Sequence, residues 1–133
     1  MYIYLAARYS RYREMQDVAR DLVEMGHVVT SRWIWGDHEV TDPLDTTNND
    51  ALAKEDFTNI ISATWSIHFT DGALQVGRGR GGRHVEFGIA LTQHKRIIIV
   101  GEQEHVFHYL QTPILEVYPN WESAKLALCN KVD

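Results

Sequence analysis

The sequence predicts an α/β fold: a doubly wound, five-stranded parallel sheet with strand order 2-1-3-4-5. Three observations predict it. Short apolar, β-branched runs alternate along the chain with longer stretches of helical periodicity, the pattern left by crossovers between parallel strands. Residues 97–100, IIIV, are four β-branched residues without a polar break, as in a strand covered on both faces. The chain has 133 residues, 44% of them hydrophobic, enough for one domain over residues 1–133 with one sizeable core.

The elements follow in order. Residues 2–6, YIYLA, are apolar and bounded by polar residues, which predicts a buried first strand. Ser10 is the expected N-cap of a helix over 11–25. Its apolar residues Met15, Val18, Ala19, Leu22 and Val23 fall near helical spacing, and Gly26 supplies a left-handed stop. Residues 27–32 read as a second strand, and 33–49, with turn formers, acids and a proline, as a long loop. A helix over 50–63 has Leu52, Phe57, Ile60 and Ile61 as its apolar side. A third strand is expected over 65–70, a loop over 71–81 and a helix over 82–94. The fourth strand follows at 97–100 and a short fifth near 114–117, and Asn120 opens a last helix to about Cys129. This is the flavodoxin-like or Rossmann-like arrangement, in which ligands bind beyond the carboxyl ends of the strands. Residues 6–11, residues 70–82 and the turn at Gly101 then meet at one rim.

Composition narrows the function. A formal net charge of −5 argues against a domain built to grip nucleic acid. The single cysteine, Cys129, excludes a disulfide framework within the chain and reads as a small apolar packing residue in a reducing compartment. The opening MYIYLAARYS is too short an apolar span for a membrane helix and lacks a cationic start with a cleavage site, so a soluble, cytoplasmic protein is expected, with no membrane partner. Among seven histidines, His105 and His108 lie three apart, but no acid or cysteine pattern completes a zinc site, and no metal is expected.

The chemistry concentrates in residues 77–91, GRGRGGRHVEFGIAL. Gly77, Gly79 and Gly82 satisfy the spacing G-x-G-x-x-G, and Glu102 lies about 20 residues beyond. A dinucleotide site would need the glycines to turn directly off the strand, whereas residues 71–76 intervene, and no Walker-type G-K-[ST] is present. Three arginines are a small patch for nucleic acid, and a solvated loop is the plain reading. Glu86 falls in the first turn of an apolar helix carrying Val85, Phe87, Ile89, Ala90 and Leu91, where helix-end amides favour an ionised carboxylate. Two readings stand side by side: a reactive carboxylate, or a glutamate that satisfies its own helix start. His84 either orients a ligand or lies on the surface, and VFHYL reads as a packing turn or a subunit contact. Asp56, in KEDFTNIISAT, reads by itself as a solvent-facing helical acid, paired with Lys54 or with nothing.

Together these segments resemble the nucleoside 2-deoxyribosyltransferase family, which includes transferases and nucleoside 5′-monophosphate N-glycosidases. The resemblance is carried by YIYLAARYSRYREMQDVARDLVEMGHVVTSRW, by DFTNII and most specifically by GGRHVEFGIALTQHKRIIIVG. It implies the doubly wound fold, a homo-oligomer (a dimer or larger), no cofactor and no metal. It implies that Glu86 attacks the anomeric carbon and that Asp56 handles the proton of the leaving base. Two carboxyl groups roughly 5–5.5 Å apart suit such a double displacement, with a raised pKa for the acid and an ordinary or lowered one for the nucleophile. The resemblance also implies a 5′-phosphate held by the loop after the first strand. Arg8, Tyr9, Ser10 and Arg11, with the backbone of Ala6, suit a phosphate at a helix start, and Gly82, Arg83 or Arg80 would add to it. Tyr4, Trp33 and Trp35 are candidates to stack on the base, or are core aromatics. The chain departs from the family at Arg80, six residues before Glu86, where transferases tend to carry aspartate and monophosphate hydrolases serine. It departs again at Ala6-Ala7, where the hydrolases often have glycine and serine, and in a longer stretch between Asp56 and Glu86. Asp71 is the expected substitute for the lost polar contact. The implied function is cleavage of the N-glycosidic bond of a (deoxy)nucleoside 5′-monophosphate. The alternatives are base exchange between free nucleosides and a nucleotide-binding or sensing module without turnover.

Overall fold

The computed structural model describes residues 1–36, 42, 44–72 and 81–131. Five strands, β1 (Tyr2–Ala6), β2 (Val28–Val29), β3 (Trp65–Phe69), β4 (Arg96–Val100) and β5 (Leu115–Tyr118), form one sheet of order β2-β1-β3-β4-β5. Every neighbouring pair is parallel. The register sets Ala6 beside His68 and Phe69 beside Val100, so β1, β3 and β4 end at nearly the same level and build one rim. The expected strand order is thus the observed one.

Four helices cover the sheet: α1 (Tyr12–Glu24), α2 (Asn49–Ile61), α3 (Gly82–Thr92) and α4 (Trp121–Cys129). Side-chain alternation along each strand divides the core between two faces. Trp65, Ile67 and Phe69 point to the face of α1 and α4, where Phe69 meets the ring of Trp121. The indole N–H of Trp121 donates to Asp21 at 2.8 Å and ties α4 to α1. Tyr4, Ser66 and His68 point to the opposite face, under α2 and α3, where His68 meets Phe87 edge-on. Ile97, Ile98 and Ile99 of β4 are fully buried. Each such side chain contributes roughly 1.5–3 kcal/mol, which makes the centre of the sheet its stiffest part.

Several element boundaries differ from expectation, each for a local reason. Ser10 is not a cap: residues Tyr9–Arg11 form a 3-10 turn ahead of α1, and Arg11 occupies the cap position. The second strand is two residues long, because Ser31 and Trp33 turn back to bond the backbone of Leu5 with their side chains. Gly26, at φ +92°, makes the expected left-handed turn after α1. The loop reading of 33–49 is broken by a 3-10 turn over Trp33–Trp35. Of the four apolar residues assigned to the inner side of α2, Ile60 alone is buried, and Phe57 is 51% exposed. Cys129 is exposed and does not pack in the core. Residues 37–41, 43 and 73–80, including Gly77, Gly79 and Arg80, lie outside the described residues. Among the described residues, no helix is long and apolar enough to cross a membrane.

Gly101 closes the rim after β4. Its φ is +115°, and a Cβ there would collide with the hydroxyl of Thr70 at the end of β3. Gly101→Ala is expected to lower the unfolding free energy by about 1–3 kcal/mol, read as a lower denaturant midpoint at unchanged slope.

Candidate active site

Glu86 is positioned by α3. That helix starts at Gly82, with Gly81 before it at φ +81°, so Glu86 falls in the second turn and its side chain points down onto the sheet. There it meets Tyr4, a fully buried residue of β1 whose hydroxyl donates to Glu86 Oε2. Asp56 stands opposite on α2. Both acids line one cavity of about 660 Å³ between α2 and α3, walled by Ala53, Phe57, Val85 and Ile89. On the same helix the Lys54 ammonium lies 2.8 Å from Asp50.

Burial controls the electrostatics of this floor. It pushes Glu86 up to about 8; the hydrogen bond from Tyr4 pulls the other way, and the negative charge of Asp56 adds to the rise. Tyr4 is raised well above the ordinary tyrosine value, first by burial and then by the charges of Glu86 and Asp56. Tyr4 is therefore a permanent proton donor toward Glu86. This corrects the expectation that the helix start keeps Glu86 ionised. Four residues of α3 precede it, the first-turn amides are behind it, and desolvation outweighs the helix end. At neutral pH Glu86 therefore holds its proton.

The rim above this floor gathers the expected phosphate ligands around an acid. Arg8 Nε lies 2.8 Å from Asp71 Oδ2 as an ion pair. Arg11 donates through one terminal nitrogen to Asp71 and to the Thr70 carbonyl, both at 3.0 Å, and through its other two nitrogens to Glu14. Arg83 donates to both oxygens of Glu104, at 2.6 and 3.0 Å, and approaches Asp71 at 3.5 Å. Burial alone would raise Glu104, but the hydrogen bonds and charge of Arg83 hold it below its ordinary value. Glu104 was invisible to the sequence reading, which marked the rim after β4 only at Gly101. Its one sequence signal is its place in the turn after that strand.

The remaining candidates sort by burial. Trp33 is 5% exposed, gives its indole N–H to the Leu5 carbonyl and leans on Tyr9, which stacks on Tyr12. Tyr4 and Trp33 are therefore structural and do not offer a ring face to a base, whereas Trp35 is 53% exposed. Ala6 is fully buried, so only its backbone faces the rim. Ser10 is exposed, and Gly82 lines the cavity at the start of α3. His84 packs against His105, and His105 against His108, which accepts the Glu104 N–H through Nδ1. These imidazoles are held below their ordinary values, burial being the largest cause, and His108 falls to about 4. They support the turn that carries Glu104. Among the described residues, no three His, Cys, Asp or Glu side chains are grouped to hold a metal ion.

No protein-family model matches the sequence, and no curated protein does. Solved structures do match. A CMP N-glycosidase of Clostridium botulinum, BcmB, is 21% identical, with a TM-score of 0.62 over 96% of this chain and 98% of that one. A 2-deoxyribosyltransferase of Bacillus psychrosaccharolyticus is 15% identical, with a TM-score of 0.66 over 97% and 96%. A conserved protein of Enterococcus faecalis V583 is 11% identical, with a TM-score of 0.65 over 95% of each chain. The chain shares its fold, nearly end to end, with these proteins.

The raised pKa of Glu86 makes a stability prediction. The folded protein holds its proton up to about 8, whereas an unfolded glutamate releases it near 4.3. Between those values the folded state binds more protons, so this contribution is complete at low pH and is lost as pH rises through the window. Glu86→Gln is expected to melt close to the wild type at pH 5 and above it at pH 8.5. The gain is on the order of a few kcal/mol, at about 1.4 kcal/mol per pKa unit. A gap that stays constant with pH would contradict the burial of this charge.

Proposed function

We propose that this protein cleaves the N-glycosidic bond of a (deoxy)nucleoside 5′-monophosphate, releasing free base and sugar phosphate. One observation carries the reading: Glu86 and Asp56 share a cavity between α2 and α3, with Glu86 oriented by a buried tyrosine. The name of the Clostridium botulinum neighbour, a CMP N-glycosidase of the same fold, supports the reaction class.

Glu86 attacks C1′, and the bonding pair of the glycosidic bond leaves with the base nitrogen. Asp56 gives that nitrogen its proton. Water then attacks C1′ and expels Glu86 as a carboxylate, while Asp56 takes back a proton from the water. Tyr4 holds the attacking carboxylate in place and stays protonated throughout. Arg8, Ser10, Arg11 and Arg83, on the rim, receive the 5′ end of the sugar. On this reading the protein works in the cytoplasm as a homo-oligomer, without metal or cofactor; half-exposed Phe57 and Val85 at the cavity mouth are consistent with a subunit contact.

A second reading is base exchange between free nucleosides. It draws support from the transferase neighbour and from the carboxylates that already occupy the rim arginines. Incubation with a panel of ribo- and deoxynucleotides and nucleosides decides between the two. Base released with water alone means hydrolysis, and product formed only with a second base means transfer. Binding without product, unchanged in Glu86→Gln, would mean a non-catalytic binding module.

Glu86→Gln is expected to lower kcat by about 10³-fold or more, and Asp56→Asn by about 10²–10⁴-fold. The active form carries one proton on the pair, so wild-type kcat/KM is expected to hold across neutral pH and to fall above about 8, where that proton leaves. With a base that departs without protonation, Asp56→Asn should reverse this limb, its rate rising with pH as Glu86 ionises.

A further inference from the structure

We infer that Asp71 is the specificity-determining residue at the 5′ end of the sugar: it is a resident counter-anion with which a substrate phosphate has to compete. The inference rests on the proposed reading, in which C1′ lies at Glu86 and the 5′ carbon points to the rim after β1 and β3.

The geometry is that of a saturated cradle. Arg8, Arg11 and Arg83, from two different elements, converge on the Asp71 side chain at 2.8, 3.0 and 3.5 Å. Arg83 spends both terminal nitrogens on Glu104, and Arg11 spends its other two on Glu14. The Asp71 backbone N–H also donates to Glu104, at 3.2 Å, so the two acids are fixed relative to each other. Asp71, Glu104 and Arg83 are only 10–14% exposed, so solvent screens them poorly. Among the described residues, the guanidinium groups of Arg8, Arg11 and Arg83 thus face the carboxylates of Asp71, Glu104 and Glu14.

A phosphate monoester brings nearly two negative charges and asks for unspent donors in excess. Here each approach brings it beside Asp71 or Glu104. A neutral 5′-hydroxyl meets no such repulsion and can donate to a carboxylate. Asp71 and Glu104 therefore lower the preference for a nucleoside 5′-monophosphate over its nucleoside below what the three arginines alone would give. Asp71 decides this, because it alone is shared by all three arginines. Neutralising it makes the rim one charge more positive and frees donors of Arg8 and Arg11.

The test compares the wild type with Asp71→Asn, a change of charge at nearly constant shape. Calorimetry with ribose 5-phosphate is expected to show binding tightened about tenfold in the variant, with the gain shrinking at high salt. The ratio of kcat/KM for a nucleoside 5′-monophosphate over its nucleoside is expected to rise by a similar factor. Glu104→Gln should move both readouts in the same direction and guards against a fold defect in the first variant. Equal or weaker ribose 5-phosphate binding in both variants overturns the inference. Tighter binding in a protein that turns over no nucleoside or nucleotide overturns the hydrolase reading instead and leaves Asp71 in its assigned role.

Discussion

The site depends on one hydrogen bond between β1 and α3. A glutamate brought down onto a closed sheet loses its water, and a carboxylate without water needs a donor. Tyr4 supplies that donor from a position with no exposure of its own. Because burial also keeps the phenol protonated, the donor cannot turn into a second anion. The bond therefore fixes one oxygen of Glu86 and leaves the other toward the cavity shared with Asp56. Had Tyr4 lain one residue earlier or later on β1, strand alternation would have sent its ring to the face of α1 and α4.

Floor and rim solve the problem of buried charge in opposite ways. On the floor, burial and the charge of Asp56 raise Glu86, which keeps its proton beside the tyrosine. On the rim, arginines and acids pair with each other. The first arrangement is suited to moving a proton, and the second to holding shape. The imidazoles behind the rim belong to the second kind. They are neutral, packed edge to face, and His108 holds the backbone N–H of Glu104.

Strand order and the rim were legible because they follow from alternation: apolar runs separated by helices leave few topologies, and ligand sites lie at strand ends. Glu86 was legible because a lone carboxylate in an apolar helix is conspicuous. Its protonation was not, since burial depends on what stands beneath the helix, and Tyr4 is 82 residues away in sequence. Tyr4 itself read as a base-stacking aromatic because composition cannot tell a ring facing a ligand from one facing a carboxylate. Asp71 was marked by its strand end. The convergence of three arginines on it depends on β1, β3 and the start of α3 meeting in space. Glu104 and the two-residue β2 depend on side-chain contacts that no periodicity encodes.

Helix α2 shows how packing departs from pattern in a way that serves the site. Its apolar residues were expected to face inward, yet Phe57 is half exposed and walls the cavity beside Val85 of α3. An apolar wall next to two acids keeps the local dielectric low, and a planar group entering there displaces the water that remains. On the proposed reading that planar group is the base. Its arrival makes two charges on the pair more costly still, and so favours the states with one proton. Of those states, the one with the proton on Asp56 is drawn on when the base nitrogen begins to accept it. On that reading, the groove that weakens α2 as an amphipathic helix is the feature that couples seating of the base to the direction of proton transfer.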